Sequence, residues 1–176
     1  MTARLGRKLA AGLAALVLIG TVASSALGAG SRRSMNIYAV ATHAQYVDHS
    51  DDRQRGNITN PFAVETPAVG QKEKGKGPFA GDNALFAFNL YSDPGLKHKV
   101  GTAVYSCTFN FGHQAFCSAN FQLTDGTMSA SGAADFDTTT FTLAVSGGNG
   151  AYLGLRGQVS SSPAGKDAHQ LAFLLR

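Results

Sequence analysis

Polar and apolar residues alternate in short segments along the last third of the chain. In residues 125–175 these segments are separated by Gly, Asn, Asp and Pro at intervals of roughly ten residues, a spacing typical of antiparallel strands in a small barrel or sandwich. After residue 36 no segment of useful length shows apolar residues at helical spacing. The sequence therefore predicts a small all-β domain, whose function resides in a cavity of the sheet, in a loop or on a surface.

The first 28 residues are predicted to be a secretory signal peptide. A continuous run of apolar and small residues at 9–19 follows three basic residues, Arg4, Arg7 and Lys8. This run is too short to cross a bilayer as a helix of the mature protein. We expect cleavage near Gly28, and hence a secreted, extracellular protein without a stable membrane anchor. An uncleaved N-terminal anchor is the alternative.

Removal of the predicted signal peptide would lower the net charge of the protein. The chain has 15 Lys and Arg against 11 Asp and Glu, and three of the basic residues lie in the signal peptide, so the mature chain keeps 12 against 11. A nearly neutral protein gives no argument for binding nucleic acid or an anionic membrane. The remaining residues are enough for one domain with an enclosed core, which we place at residues 36–176.

The two cysteines lie in a predicted hairpin. Strands at about residues 104–111 and 115–123 flank a turn at Gly112. If the hairpin pivots on Gly112, Cys107 lies opposite Cys117, and opposed cysteines in an oxidising compartment are expected to form a disulfide. Two reduced, buried cysteines are the alternative, because a shift of the pivot by half a residue would make the pair diagonal.

Several short motifs follow one another in a defined order. They are Gly81-Asp82, LFAFNLYS at residues 85–92, Val100-Gly101, Cys107, FQLTDG at residues 121–126 and AVSGGNGAYLGLRGQV at residues 144–159. In order and spacing they resemble the allene oxide cyclase barrel family, which is structurally akin to dirigent proteins. The resemblance covers residues 36–176. It implies an eight-stranded antiparallel barrel with an apolar cavity, in which a reactive small molecule is held in one conformation and its isomerisation or cyclisation is steered.

The resemblance also suggests ligand-binding residues. Cys107 matches a cysteine in the cavity of the plant cyclases, Phe109 shares its strand face, and Tyr91 belongs to the family's LYS ending. The position of the plant enzymes' cavity Asn falls on Phe88. Asn89 is one residue out of step and is expected on the opposite face. The predicted N-terminal strand has no Glu to match the one in the plant enzymes, so allene oxide cyclisation itself is not expected. No catalytic residue is assigned, and no cofactor is expected.

A metal site is not predicted. Five possible ligands lie within ten residues, but their spacing matches no standard ligand set: His43, Asp48, His49, Asp51 and Asp52. A solvated polar loop is favoured. Residues 51–81 are irregular, with three prolines and a basic run at 71–77, and are interpreted as a surface loop. The alternative is a lid over a barrel mouth, formed with Phe62, Val64 and Phe79.

Three functions stay open. The favoured one is a secreted barrel that binds a small apolar molecule and, if it is an enzyme, acts as an isomerase or cyclase. A non-catalytic, lipocalin-like binding barrel is the second, and a structural barrel filled by its own Phe side chains is the third. In residues 85–92 one face carries Phe86, Phe88 and Leu90, and the other carries Leu85, Ala87, Asn89 and Tyr91. Two largely apolar faces favour a homo-oligomer, either a dimer or a trimer.

Overall fold

Eight antiparallel strands close into one barrel. The structure is a computed structural model that describes residues 32–49, 77–110, 113–165 and 167–176. The strands are β1 (Arg33–Val47), β2 (Asn83–Tyr91), β3 (Lys99–Phe109), β4 (Gln114–Leu123), β5 (Gly126–Asp135), β6 (Phe141–Gly148), β7 (Gly157–Pro163) and β8 (Ala168–Leu175), with one 3-10 turn at Gly150–Tyr152. Each strand pairs with its neighbours in sequence, and β8 pairs with β1. The predicted eight-stranded all-β barrel is confirmed.

Parts of the sequence-based interpretation lie outside the described residues. The predicted signal peptide at residues 1–28, most of the irregular segment at 51–81, and Phe62 and Val64 belong there. The barrel begins at Arg33, three residues before the predicted start of the domain. The described ranges contain no helix long and apolar enough to cross a bilayer. Secretion and the homo-oligomer stay predictions.

Side chains alternate between the barrel interior and the outer wall. In β3 the side chains of Tyr105, Cys107 and Phe109 are buried, whereas Val104 and Ser106 between them are exposed. The long strand β1 alternates around Ile37 and Ala39, but its side chains from Ala41 to Tyr46 are all exposed, and its register against β2 shifts between Ala41 and His43. Such a bulge lets a strand bend around a small barrel. The period-two alternation in the sequence therefore corresponds to side chains that face the barrel interior and side chains that face outward.

The outer wall of the barrel carries almost no charge. Within the eight strands, Lys, Arg, Asp and Glu occur only at strand ends, at Arg33, Lys99 and Asp135. Small and uncharged polar side chains occupy many of the remaining outward positions, as in β4, where Phe116 is the large apolar residue among Gln114, Ser118, Asn120 and Gln122. The wall thus offers hydrogen-bonding groups but no ionic partners.

The β3–β4 hairpin has the predicted register. Cys107 pairs with Cys117 and Phe109 with Ala115, as a pivot at position 112 requires. A disulfide joins Cys107 to Cys117, whose Cα atoms are 4.0 Å apart. The structure therefore contains the predicted bridge and not the alternative of two reduced cysteines. Strand β3 starts at Lys99, five residues earlier than the sequence suggested.

One half of the barrel interior is filled by large apolar side chains. Its residues are at most 2% exposed: Leu90, Phe121, Met128, Leu143, Val159, Phe173 and Leu175. The rings of Phe121 and Phe173 meet edge to face with centroids 5.1 Å apart. Full burial of side chains of this size stabilises a fold by about 1.5–3 kcal/mol each. This filled half is the hydrophobic core of the domain.

Tyr152 closes the filled end. Its hydroxyl donates to Asp125 Oδ1 at 2.7 Å, and the guanidinium of Arg33 lies 5.3 Å from the centre of its ring. Burial, and then the hydrogen bond to Asp125, raise the pKa of Tyr152 to about 12. The 3-10 turn that carries Tyr152 therefore joins the β6–β7 connection to the start of β1 and to the β4–β5 turn.

Asp82 fixes the chain at the other end of the barrel. This carboxylate is fully buried and accepts hydrogen bonds from the hydroxyl of Tyr46, from the backbone N–H of Phe79 at 2.8 Å and from that of His49 at 3.1 Å. A buried carboxylate needs such donors because it has lost its hydration. The Gly81-Asp82 motif thus serves the fold by anchoring the entry to β2.

We predict that Gly157 is required because the backbone of β8 approaches it closely. A Cβ atom there would lie 2.0 Å from the carbonyl oxygen of Leu174, whereas Gly147 has the same φ of 156° and open space around it. Gly157→Ala should lower the free energy of unfolding by about 3 kcal/mol, and Gly147→Ala by about 1 kcal/mol. Urea denaturation of both variants measures the difference. Equal losses would show that the close approach is not what selects glycine.

We expect the bridge between Cys107 and Cys117 to stabilise the domain. It closes a short loop, since the two residues are 10 positions apart. Replacing both cysteines by Ala should cost about 2–3 kcal/mol, chiefly because the unfolded chain gains freedom. Urea denaturation gives this number. Thiol labelling of unreduced, denatured protein should find no reactive cysteine, and two reactive thiols would contradict the bridge.

Stability should fall in alkali, in part because of Tyr152. Its pKa is about 12 in the folded protein and 10 in an ordinary setting, so above pH 10 the unfolded chain loses this proton first. The contribution is complete below pH 10 and is lost as pH rises through 12. The stability advantage of the wild type over Tyr152→Phe should therefore shrink between about pH 8 and about pH 11 in urea titrations. A constant difference would refute this linkage.

Candidate functional site

The other half of the barrel encloses a cavity of about 340 Å³, within the range of small-molecule sites. It lies toward the end that carries the β3–β4 hairpin and the β5–β6 loop. The described lining residues come from all eight strands and from the β5–β6 loop: Ala39, Phe86, Phe88, Tyr105, Cys107, Cys117, Ala134, Asp135, Phe136, Thr138, Thr139, Phe141, Ser161, His169 and Leu171. Small side chains and the disulfide replace the bulky residues of the filled half, so space remains.

The ring of Tyr105 separates the cavity from the filled half. It packs edge to face against Phe88 at 5.2 Å, against Phe121 at 5.7 Å and against Phe141 at 6.3 Å between centroids. Phe121 belongs to the filled half, whereas Phe88 and Phe141 line the cavity. Tyr105 thus forms the floor of the cavity, and its ring is held by aromatic contacts on several sides.

Phe136 lies across the mouth of the cavity. This residue follows β5 and remains 40% exposed, with its ring centre 4.9 Å from that of Phe109 and 6.2 Å from that of Phe86. Its backbone N–H donates to the carbonyl oxygen of His113 at 3.0 Å. The side chain of His113 also pairs with Asp137. The β5–β6 loop is therefore tied to the β3–β4 hairpin, and it holds Phe136 over the opening.

Ser161 and His169 form a polar pair in the cavity wall. Ser161 is 3% exposed, and its hydroxyl lies 3.0 Å from Nδ1 of His169 on the neighbouring strand. Either atom can donate, depending on the tautomer of the imidazole. The pair can thus present a donor or an acceptor to a ligand. Among the described residues, no carboxylate is hydrogen-bonded to His169.

Tyr105, which lines the cavity, carries a further buried hydroxyl. Tyr105 is 7% exposed, and burial raises the pKa of its phenol well above the ordinary value of 10. The hydroxyl therefore stays protonated. It makes no hydrogen bond within the described part of the chain, which is costly for a buried O–H group.

The described residues that line the cavity include no Lys or Arg. Asp135 is the one acidic residue among the described lining residues, and it is exposed at the rim. Its carboxylate accepts a hydrogen bond from the backbone N–H of Asp137 at 2.9 Å, which shapes the loop. An anionic ligand would thus lose its hydration without gaining an ionic partner from the described walls. Such a cavity favours uncharged molecules.

Of the predicted ligand-binding residues, Cys107 and Phe109 face the barrel interior, whereas Tyr91 does not. Cys107 lies in the cavity wall, within the disulfide. Phe109 is buried on the same strand face but packs at the mouth, against Phe136 and Tyr46. Tyr91 requires a correction. It pairs with Tyr38 and follows the inward-facing Leu90, so its side chain is on the outer wall and does not line the cavity.

The alternation of β2 explains the misplacement of Tyr91. Phe86 and Phe88 line the cavity, and Leu90 on the same face is fully buried. Asn89 lies on the opposite face, as its one-residue offset suggested. Phe88, which the sequence resemblance matched to the cavity Asn of the plant cyclases, is therefore an apolar residue of the cavity wall. A motif position selected Tyr91, whereas the period of the strand excluded it.

Four important cavity residues were not found from sequence: Tyr105, Phe136, Ser161 and His169. A signal existed for the last two, because each is a polar residue on the inward face of its strand, in step with Val159 or Leu171. Tyr105 is likewise in step with Cys107. No local signal marks Phe136, which belongs to a loop and reaches the mouth only through the closure of the barrel.

Other regions offer less for binding. A depression of about 700 Å³ on the outer wall is open to solvent and is lined largely by Ser, Ala and amide side chains, including Ser106, Ser118 and Asn120. Among the described residues no three His, Cys, Asp or Glu side chains are grouped so that they could hold a metal. The ring of His49 instead contacts Asn83 at 2.9 Å, and that of His43 contacts Thr42 at 3.2 Å. Asp51 and Asp52 lie outside the described residues.

Comparison with known proteins supports the fold. No protein-family model matches the chain, and no curated protein does. Among solved structures, a pyocyanin demethylase gives a TM-score of 0.60 at 19% identity, covering 82% of this chain and 100% of that one. An exo-specific intermolecular Diels-Alderase gives 0.54 at 18%, covering 83% and 98%. A pterocarpan synthase dirigent protein gives 0.54 at 14%, covering 82% and 87%.

These similarities show that the chain has the same small barrel fold as dirigent proteins and these Diels-Alderases. At such low identities they assign no activity or residue. The dirigent part of the resemblance seen in the sequence is thus confirmed for the fold. The resemblance to allene oxide cyclases in particular stays a prediction.

Proposed function

We propose that this protein binds a small, uncharged, largely apolar molecule in the cavity of its barrel and holds it in one conformation, thereby guiding an isomerisation or cyclisation. The observation that carries the proposal is the half-empty interior. A barrel of eight strands is just wide enough to be filled by its own side chains. Here bulky residues fill one half, and a cavity of about 340 Å³ remains in the other.

The lining favours a flat aromatic or polyene ligand. Phe86, Phe88 and Phe141 provide rings on the walls, and Phe136 provides one at the mouth. Aromatic pairs gain about 0.5–1.5 kcal/mol beyond the burial of their area, so a planar ligand would be both bound and oriented. The polar groups are few, which is typical of sites where hydrogen bonds fix orientation and apolar contacts supply affinity.

Positioning is the form of catalysis that this lining supports. The hydroxyl of Tyr105 stays protonated, and His169 with Ser161 is the one acid-base pair among the described lining residues. A reactive substrate that cyclises by itself needs no strong base, only confinement in the productive conformation. The Diels-Alderase and the pterocarpan synthase dirigent protein with this fold are consistent with such a role.

Allene oxide cyclisation is not the reaction we favour, because β1 contains no Glu and Phe88 occupies the place of the plant enzymes' Asn. A non-catalytic carrier is the second candidate, supported by the lack of any buried carboxylate among the described lining residues. Secretion after removal of residues 1–28 is part of both versions.

A neighbouring pair of alanines in β5 tests the location of the site. Ala134 lines the cavity, whereas Ala133 is exposed on the outer wall. With fluorenone as an uncharged planar probe, Ala134→Leu should weaken binding at least about tenfold because its side chain occupies the cavity. Ala133→Leu should leave binding unchanged. Equilibrium dialysis measures both, with thermal unfolding to confirm that both variants are folded.

Two results would go against the proposal. If folded wild-type protein does not bind fluorenone saturably, or if both leucine variants bind it equally well, the cavity is not a ligand site. Guidance of a reaction is measured separately, as the enantiomeric excess of a spontaneous cyclisation carried out with the protein in molar excess. A racemic product from a bound substrate would leave the carrier as the function.

A further inference from the structure

We propose that the hydroxyl of Tyr105 is the polar anchor of the cavity and selects uncharged planar ligands that carry a carbonyl oxygen or another neutral hydrogen-bond acceptor. This inference rests on the proposed function and names its ligand class, an aromatic or conjugated ketone or quinone. It depends on the position of one O–H group and on the charge of the surrounding lining.

The hydroxyl of Tyr105 lacks a hydrogen-bond partner in the described part of the chain. Tyr105 is 7% exposed and lines the cavity, yet its O–H has no hydrogen-bond partner among the described residues. The two tyrosines at the barrel ends, the exposed Tyr46 and the buried Tyr152, both donate to carboxylates, Tyr46 to Asp82 and Tyr152 to Asp125. A buried donor without an acceptor destabilises a fold, and a ligand that accepts its hydrogen bond would explain why it is kept.

Aromatic contacts hold the hydroxyl of Tyr105 in a fixed direction. The ring of Tyr105 is packed edge to face against Phe88, Phe121 and Phe141. These contacts leave it little freedom to turn toward another partner. The hydroxyl is thus a rigid donor at the floor of an apolar cavity, which is the arrangement that fixes the orientation of a ligand.

The charges of the described lining favour neutral ligands over anions. Burial raises the pKa of the phenol well above 10, so the group donates a hydrogen bond at every physiological pH. No Lys or Arg belongs to the described lining, and Asp135 stands at the rim. A carboxylate would have to be buried beside a neutral phenol without a counter-ion, whereas a ketone oxygen would lose little hydration. Neutral acceptors are therefore favoured over anions.

The barrel geometry adds a second polar contact. Tyr105 is on β3 and Ser161 is on β7, which are four strands apart in a closed sheet of eight and so lie on opposite walls. The pair of Ser161 and His169 can donate or accept. A ligand with an acceptor at one end and a second polar group at the other would thus be oriented at both ends, as a quinone would be.

The test compares two probes of the same shape. Fluorenone carries a carbonyl group where fluorene has a methylene. Tyr105→Phe keeps the ring and its aromatic contacts and removes the O–H alone. It should weaken the binding of fluorenone about 3- to 10-fold and leave that of fluorene unchanged. Tyr91→Phe, on the outer wall, is the matched control and should change neither affinity.

The carbonyl stretching frequency gives an independent readout in wild-type protein. A hydrogen bond from Tyr105 should lower the infrared stretching frequency of bound fluorenone below its value in hexane, and Tyr105→Phe should reverse the shift. A fluorene carboxylate should bind more weakly than fluorenone, because the described cavity walls include no Lys or Arg.

The outcomes separate the two proposals. If both neutral probes bind and Tyr105→Phe affects them equally, or if bound fluorenone shows no infrared shift, the anchor is refuted and the cavity remains a binding site. Equal affinity for the carboxylate would refute the selection of neutral ligands. If neither neutral probe binds the wild type, the cavity proposal fails, and the anchor fails with it.

Discussion

Closure of the sheet between β1 and β8 is the constraint on which the rest of the structure depends. The two strands pair continuously from Arg33 with Leu175 to Val40 with Ala168. Once the sheet is closed, every strand has one face toward a space of limited width, and no edge strand is left exposed. The size of each inward side chain then decides locally whether the interior is filled or empty. Core and cavity are thus two outcomes of one geometry.

Tyr105 separates the filled half of the barrel interior from the cavity. On one side Phe121, Phe173 and their neighbours exclude solvent and stabilise the domain. On the other side Ala39, Ala134 and Ser161 are too small to fill the space. An unfilled apolar space forfeits packing energy. The filled half, the Cys107–Cys117 bridge and the buried Asp82 offset that loss by securing the two ends of the barrel.

In the proposed function, the cavity orients its ligand and contributes little reactivity. Its aromatic walls suit a flat molecule, Tyr105 offers an O–H group, and Ser161 with His169 offers an adaptable polar contact. Because the disulfide is itself part of the wall, the rigidity of the β3–β4 hairpin carries over to the shape of the site. A preorganised cavity of this kind binds with little loss of conformational freedom in the protein. Apart from Asp135 at the rim, the described lining includes no Asp, Glu, Lys or Arg, and within the strands such residues occur only at the ends.

The sequence by itself determined the features that depend on neighbours in the chain. Period-two alternation and turn residues gave the strands, and the pivot at position 112 gave the register of Cys107 with Cys117. Tyr91 was misplaced because a motif was preferred to the alternation that places it beside Tyr38. Only the tertiary structure decided that Phe136 caps the mouth, that Ser161 meets His169, and that one half of the barrel is open. Those contacts depend on closure and on the stagger accumulated around all eight strands, which no local pattern encodes.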